Sequence, residues 1–241
     1  GLNLVTGFHG EPVITIRGIG VDLYNNPTVG ITVDDVPFGS ATGLGGGNAA
    51  PDLDPSDLEQ IEVLRGPQGT LYGASSMGGL LKYVTAKPSV NKQSGYLQGG
   101  VSAVSGGDDQ GYNLRGGINI PVNDQFAIKL SGFSRFDAGY IDNIQTGEED
   151  VHSSDAWGGR VSTLWLPSDT TSVRLSALFQ KVDSDGTAEV PVTGLNDQEQ
   201  QALPGTGILE SENQAYNLNI ETKIGSVDVV AISGYVVNER A

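Results

Sequence analysis

Apolar and polar residues alternate with a period of two along most of the second part of the chain. In the run around residues 112–120, for example, Leu114 and Ile118 fall on one face while Arg115 and Asn119 fall on the other. Five further runs between residues 94 and 224 follow the same rule, and a last run, 227–237, is apolar but alternates poorly. A period of two is typical of a half-buried strand, so the pattern predicts seven consecutive antiparallel strands.

Short and long connections alternate between these predicted strands. Residues 121–124, 167–170 and 225–226 read as tight turns, whereas the connections at about 138–154 and 183–211 are long. Outer-membrane barrels have short periplasmic turns at one end and long external loops at the other. Strands of ~9–11 residues are also long enough to cross the hydrocarbon layer when tilted. The sequence therefore favours a mainly β fold with a transmembrane antiparallel β-barrel, and a soluble antiparallel sheet is the alternative.

Seven strands cannot close a barrel in lipid, because the first and last would leave unpaired backbone groups. We therefore expect the chain to be part of a longer protein.

In a filled barrel the inner wall is polar and the outer wall apolar. The residues predicted to point inward are Asn113, Arg115, Asn119, Lys129, Arg135, Arg160, Arg174, Asn217, Asn219 and Glu221. Those predicted to face lipid are Leu114, Ile118, Ile128, Leu130, Val161, Val173, Leu175, Leu218 and Ile220. The aromatic residues predicted to form interfacial girdles are Tyr96, Tyr112, Phe126, Trp157, Trp165 and Phe179.

The first part of the chain follows a different pattern, with frequent Gly and Pro and only short strand-like runs. These runs lie at residues 13–17, 29–33, 60–64 and 80–85. Asp54 is a plausible N-cap for a short helix, with Pro55 at its first position. The pattern predicts a small α+β domain over residues 1–92 and the first part of the barrel over residues 93–241.

Composition narrows the chemistry that the chain can carry. A net charge of −16 would repel the phosphates of a nucleic acid. The absence of Cys excludes a disulfide scaffold, and two His argue against a multi-His metal site. Asp183, Asp185 and Glu189 faintly match a calcium loop but lack its full spacing, so a solvated acidic loop is the preferred interpretation. The nucleophile-elbow, dinucleotide-binding and P-loop patterns all fail, so we expect neither an enzyme nor a cofactor.

Several spaced motifs in the first domain carry a family resemblance. Residues 58–88 read LEQIEVLRGPQGTLYGASSMGGLLKYVTAKP, preceded by IRGIG at residues 16–20 and GITVDDVP at residues 30–37. Together these motifs resemble the plug domain of TonB-dependent outer-membrane receptors. Asp35 departs from the family pattern, which usually has Gly after the first Asp, so we expect the turn there to differ.

The resemblance implies a barrel whose lumen is filled by the plug. Receptors of this family take up scarce, large nutrients such as iron–siderophore complexes, with energy from an inner-membrane complex acting through TonB. It also implies a place in the outer membrane of a Gram-negative bacterium, in contact with lipid and lipopolysaccharide. One alternative is a ligand-sensing signalling receptor of the same fold, and a further one is a soluble β-sheet binding module.

Two sets of residues are candidates for function. The family's ligands meet the apical plug loops, which by position are residues 18–28 and 37–50, so the resemblance implies contacts from Arg17, Tyr24, Asn25, Phe38, Ser40 and Asn48. The second set is a plug–barrel lock. Glu62 and Arg65 would be enclosed by the barrel, and enclosed charges need partners. We expect them to pair with each other or with the inner wall, for example with Arg115, Lys129 or Arg135.

Overall fold

The structure is a computed structural model, and the part of the chain that it describes is mostly β-strand. It covers residues 2–6, 12–20, 27–38, 54–73, 75–187, 190, 199–203 and 207–240. Among these residues, helical turns are confined to two short segments of the first part of the chain. None of the helices in these ranges is long and apolar enough to cross a membrane.

Two small sheets form the N-terminal unit, which comprises the described residues from 2 to 85. The elements in chain order are β1 (Leu2–Thr6), β2 (Pro12–Ile16), β3 (Val29–Val33), β4 (Val36–Pro37), a 3-10 turn (Pro55–Asp57), β5 (Leu58–Arg65), α1 (Gly69–Tyr72) and β6 (Gly79–Thr85). Strands β1 and β2 pair as an antiparallel hairpin. The other four form a mixed sheet in the order β4-β3-β6-β5, with β3 and β6 parallel. This is the α+β architecture that the sequence predicts.

A long antiparallel sheet, which we call the wall, follows the N-terminal unit. The elements from residue 94 onward are β7 (Ser94–Ala103), β8 (Gln110–Asn123), β9 (Phe126–Asp137), β10 (Ile141–Asn143), β11 (Glu148–Val151), β12 (Ser154–Ser168), β13 (Thr171–Ser184), β14 (Glu199–Gln200), β15 (Leu209–Ile224) and β16 (Val227–Arg240). The wall contains seven of them, in the order β16-β15-β13-β12-β9-β8-β7. The prediction of seven consecutive antiparallel strands is confirmed, and in this chain the barrel is not closed.

The three short turns lie at one end of the wall, as predicted. Hydrogen bonds join neighbouring turns, from Leu166 N to Gln125 O at 2.8 Å and from Lys223 N to Thr170 O at 3.1 Å. The long connections therefore lie at the opposite end, which we call the outer end. There β10, β11 and β14 form a separate small sheet in the order β11-β10-β14.

The two faces of the wall are those that the alternation predicts. Directly paired residues of neighbouring strands share a face. Asn119 pairs with Lys129 and Ile118 with Leu130, so polar and apolar rows run across the sheet on opposite faces. Every residue predicted to point inward lies on the face that meets the N-terminal unit, and every residue predicted to face lipid lies on the other. On that outward face Leu175 is 55% exposed, which suits contact with lipid rather than with water.

The structure corrects two expectations about these faces. Tyr96 was expected in an outward girdle, but it pairs with Gly117 on the inner face. The period of two places it there, because Tyr96 lies two residues before Gln98, which pairs with Arg115 on the inner face. Gly117 leaves room for the ring, since a Cβ on Gly117 would lie 2.6 Å from it. The inner face is also not polar throughout. On β16, Val236 points inward and packs against the apolar core of the N-terminal unit.

That apolar core joins the N-terminal unit to the wall. Its buried members from the unit are Ile14, Ile16, Val29, Ile31, Val33, Phe38, Leu81 and Tyr83. Ala215 of β15 belongs to the same cluster, and Leu178 and Val236 of the wall pack against it. The unit therefore sits on the inner face of strands β13, β15 and β16 chiefly through apolar contact, whereas its ion pairs are made with β8, β9 and β12.

Candidate functional site

Two carboxylates at the start of β5 meet three cations of the wall. Arg115 Nε on β8 donates to Asp54 Oδ2 at 2.7 Å. Arg160 Nε on β12 donates to Asp57 Oδ2. Lys129 Nζ on β9 lies 3.4 Å from Asp57 Oδ1. We call these five residues the ion-pair cluster.

The local sequence explains why the cluster forms here. The 3-10 turn over residues 55–57 places Asp54 and Asp57 together at the same end of β5. The side chain of Asp54 is 5% exposed and that of Arg160 is 4% exposed. A charge this far from water is costly unless it is paired and hydrogen-bonded. Arg160 satisfies a second donor through Nη2, which donates to Ala86 O at 2.7 Å.

The segment that leads from β6 into the wall is fixed by one asparagine. Asn119 Nδ2 on β8 donates to Ser89 O at 2.8 Å and to Lys92 O at 2.7 Å. In return, Ser89 N donates to Asn119 Oδ1 at 2.9 Å. Asn119 thus holds the connection between the two parts of the chain against the inner face.

The turn between β3 and β4 is a second polar contact with the wall. Asn217 Nδ2 on β15 donates to Asp34 O at 3.0 Å. The Asp34 carboxylate accepts from Thr85 N at 2.9 Å and from Thr85 Oγ1 at 2.6 Å, which ties the turn to the end of β6. Asp34 and Asp35 have φ values of 50° and 69°. Asp adopts this left-handed region more readily than most residues, so the turn forms where the family usually has Gly at the second position.

Asp35 also makes an ion pair that Gly could not make. Lys82 Nζ on β6 lies 2.6 Å from Asp35 Oδ1. Partial burial lowers the pKa of Lys82, but the hydrogen bond to Asp35 and the negative charges of Asp35 and Glu62 outweigh it. The net effect raises the pKa of Lys82, so its positive charge is secure at neutral pH.

Glu62 and Arg65, the residues expected to lock the plug, lie further along β5 than the ion-pair cluster. Glu62 is half-buried opposite Lys82 and accepts a hydrogen bond from Gln60 Nε2. Arg65 ends the strand, is paired with Gly79 in the ladder, and is exposed.

The wall cations expected as partners of Glu62 are engaged elsewhere. Arg115 and Lys129 belong to the ion-pair cluster, and Arg135 Nε lies 2.7 Å from Asp137 Oδ2. This part of the expectation is wrong, because the wall meets the beginning of β5 rather than the stretch that carries Glu62.

Two of the candidate ligand contacts lie within the described residues. Arg17 is exposed at the tip of a tight turn, with φ values of 55° for Arg17 and 77° for Gly18. Phe38 is buried in the apolar core, and its backbone N donates to Ile31 O at 2.9 Å. The remaining candidates, Tyr24, Asn25, Ser40 and Asn48, lie outside the described residues.

The faint calcium motif gains no support from the structure. Asp183 lies 3.0 Å from Lys181 Nζ, and Glu189 is outside the described residues. In the described ranges, no group of three or more His, Cys, Asp or Glu side chains is placed to hold a metal ion.

Sequence reasoning missed the ion-pair cluster. Asp54 was interpreted as a helix cap, and Asp57 was assigned no role. One signal was available, because the five cations predicted on the inner face include all three of the cluster, and the segment before β5 is the most acidic part of the N-terminal unit. Pairing that acidic segment with those cations would have found the site.

Known proteins resemble this chain in sequence. Residues 1–80 match the family model described as the TonB-dependent receptor plug domain. A pesticin receptor of Yersinia enterocolitica is 33% identical over 159 residues, which are 65% of this chain and 21% of that protein. A ferrioxamine B receptor of Salmonella typhimurium is 34% identical over 87 residues, which are 35% of this chain and 11% of that protein.

Solved structures show the same fold over the whole chain. The ferric yersiniabactin uptake receptor of Yersinia pestis matches with a TM-score of 0.80 at 23% identity, over 100% of this chain and 37% of that one. A siderophore receptor of Acinetobacter baumannii matches with a TM-score of 0.70 at 19% identity, over 98% of this chain and 36% of that one. The chain spans about a fifth of the length of the pesticin receptor.

Proposed function

We propose that this chain, which belongs to the TonB-dependent outer-membrane receptors, forms the plug and the first part of the barrel of an energy-coupled nutrient transporter. Its place is the outer membrane of a Gram-negative bacterium. The observation that best supports this proposal is that the buried ion pairs of Asp57 hold the N-terminal unit against the inner face of the wall. The boundary between plug and barrel falls at residues 92 and 93, just after the segment that Asn119 holds.

A filled lumen explains why the transport needs energy. A solute cannot diffuse past a unit that is held to the wall by buried charges and by an apolar core, so those contacts must first be rearranged. In this proposal a TonB inner-membrane complex is the energising partner that drives the rearrangement. The relatives are receptors and transporters rather than enzymes, and this chain has the same non-enzymatic role.

The substrate is a scarce nutrient of the iron–siderophore class. Support comes from two relatives that are named as ferrioxamine receptors. The proposed contacts with it are those that the family resemblance implies, namely Arg17, Tyr24, Asn25, Phe38, Ser40 and Asn48. Arg17 is the strongest of them, because its guanidinium is exposed and suits an anionic group. Phe38 would contribute only after leaving the apolar core.

The plug–barrel lock of Glu62 and Arg65 is a further part of the proposal. Arg65 is exposed at the end of β5, where these seven strands do not cover the N-terminal unit. The rest of a closed barrel would supply its partners.

The outward face of the wall contacts lipid and lipopolysaccharide. The rings of Trp157 and Phe179, whose centroids are 5.1 Å apart, lie on this face near the outer end.

A gene-deletion experiment tests the transport proposal. Cells that lack the receptor should lose uptake of one radioactive ferric chelate among hydroxamate, catecholate and phenolate probes, and the restored gene should return it. Uptake should also stop in cells without TonB. Unchanged uptake of every probe in the deletion strain contradicts the proposal. Ligand-dependent gene expression without uptake would favour the signalling receptor of the same fold instead.

A further inference from the structure

The long connections at the outer end of the wall are joined to one another by hydrogen bonds. We call them outer loop 1 (104–109), outer loop 2 (138–153) and outer loop 3 (185–208, of which the structure describes 185–187, 190, 199–203, 207 and 208). Asp150 links the first two, because its Oδ2 accepts from Asp108 N at 2.8 Å. Its own N donates to Asp142 Oδ1 at 3.2 Å, and its φ is 53°, so outer loop 2 holds the carboxylate in place.

Asn143 links outer loop 2 to outer loop 3. Its Nδ2 donates to Ala202 O at 2.9 Å, while its Oδ1 accepts from Gln145 N at 3.1 Å within its own loop. Strand β10 pairs in parallel with β14, and Ile144 N donates to Gln200 O at 3.1 Å. A single side chain thus fixes its own turn and the neighbouring loop at the same time.

Burial distinguishes these loops from freely moving segments. Ile141 is 0% exposed, Gln200 2% and Asn143 5%. Loops that open easily have few buried contacts and solvent-exposed backbone hydrogen bonds. In the part of the chain that the structure describes, outer loops 2 and 3 have the opposite features, because they share the β11-β10-β14 sheet and bury Ile141, Asn143 and Gln200. Outer loop 1 is mostly exposed and is joined to them through Asp150.

We propose that the described parts of outer loops 2 and 3 form one fixed block, with Asn143 as its positioning residue. The block is a preformed side of the external opening and does not close over a ligand. Any closure must then come from loops on the other side of the barrel. The existence of the block depends only on the contacts above, whereas its role at an opening rests on the proposed function.

Hydrogen exchange in the receptor that contains this chain tests the block. Asn143→Ala should speed exchange roughly tenfold both in residues 141–151 and in residues 199–203, the usual scale for losing a few hydrogen bonds. Gln145→Ala is the matched control, because that side chain is exposed in the same turn and should change neither segment. Faster exchange in residues 141–151 alone would show that the loops are independent and would overturn the proposal.

A disulfide between the loops provides a second measurement that does not depend on how Asn143→Ala folds. Asp142 and Glu199 are Cα partners of the parallel pair, so Asp142→Cys with Glu199→Cys should cross-link on oxidation. Uptake should be equal in the oxidised and reduced forms, since the loops never separate. Lower uptake in the oxidised form, restored by a reductant, overturns the proposal. If the parent receptor takes up no chelate, the proposed function fails, and the exchange result still decides whether the block exists.

Discussion

Removal of the Asp57 carboxylate is the most direct test of how the N-terminal unit is held in the wall. Two cations converge on it, and its side chain is 13% exposed. At 3.4 Å, the attraction of Lys129 for Asp57 is about 5 kcal/mol at an effective dielectric constant of about 20. Much of this offsets the cost of removing both charges from water. Loss of one partner of a buried pair costs about 3–5 kcal/mol, because the other charge stays buried. Asp57→Ala should therefore destabilise the seated unit by that amount.

Native-state hydrogen exchange of β6 in the detergent-solubilised receptor measures this loss. Strand β6 is bonded on both sides, to β3 and β5, so its amides report opening of the whole sheet. Their exchange should accelerate by about two to three orders of magnitude in Asp57→Ala. Asp57→Asn should lose less, because it keeps a side-chain oxygen for Arg160.

An exposed ion pair of the same wall serves as the control. Arg135 Nε lies 2.7 Å from Asp137 Oδ2, but the Asp137 side chain is 54% exposed. Asp137→Ala should cost less than about 1 kcal/mol, as surface pairs do. Asp57→Ala combined with Arg160→Met should recover part of the stability, since no unpaired Arg160 remains. Equal losses in Asp57→Ala and Asp137→Ala, or a double variant that is simply additive, would refute this reasoning.

Three further changes probe the faces, the apolar contact and the outer loops. Leu175→Arg should block membrane assembly, because an outward Arg costs about 2–4 kcal/mol at mid-bilayer, whereas Ser172→Arg on the inner face should not. Heat-modifiable electrophoresis of the two variants measures assembly. Gly234→Val should increase proteolysis of the N-terminal unit at a cost of about 1–3 kcal/mol, since a Cβ there lies 2.9 Å from Val36 Cβ, and Val36→Ala should partly restore resistance. Burial lowers the pKa of His152, with a backbone hydrogen bond to Gly186 opposing it in part. The folded state therefore binds fewer protons than the unfolded state, so its stability decreases as the pH is lowered through about 6.5. Protection of the outer loops from hydrogen exchange should decrease over the same range, and it should not do so in His152→Asn.

The wall could be predicted almost completely from the sequence, because each half-buried strand must alternate its side chains. Alternation fixed the number of strands, the end that carries the short turns, and the face of each predicted residue. It did not predict which inner positions are aromatic or apolar. Tyr96 lies inward over Gly117 although its place at a strand end suggested an outward girdle, and β16 is apolar inside where Val36 lies against Gly234. Such features depend on residues that are close only in space, so the periodicity of the sequence does not predict them.

The ion-pair cluster could not be predicted with the same certainty, because its partners are far apart in the sequence. Asp57 and Arg160 are separated by 103 residues. Motif reasoning singled out Glu62 and Arg65 on the same strand, but which part of β5 meets the wall depends on how the unit docks. That orientation depends on the ion-pair cluster, the apolar core and Asn217 together, and none of these was assigned a docking role in advance.

If the proposed transport function holds, the division between apolar and ionic contacts suits a unit that must be held firmly and still be rearranged. When buried apolar surface is exposed to water again, nearly all of the free energy gained by burying it is lost. A separated ion pair behaves differently, because water solvates Asp57 and Arg160 as they part, and this offsets most of their attraction. Charge pairs also reject wrong orientations, since a shifted unit would leave carboxylates without cations. The ion-pair cluster therefore specifies where the N-terminal unit sits more than it adds to stability, and the energy needed to unseat the unit is set chiefly by the apolar contact with Ala215, Leu178 and Val236.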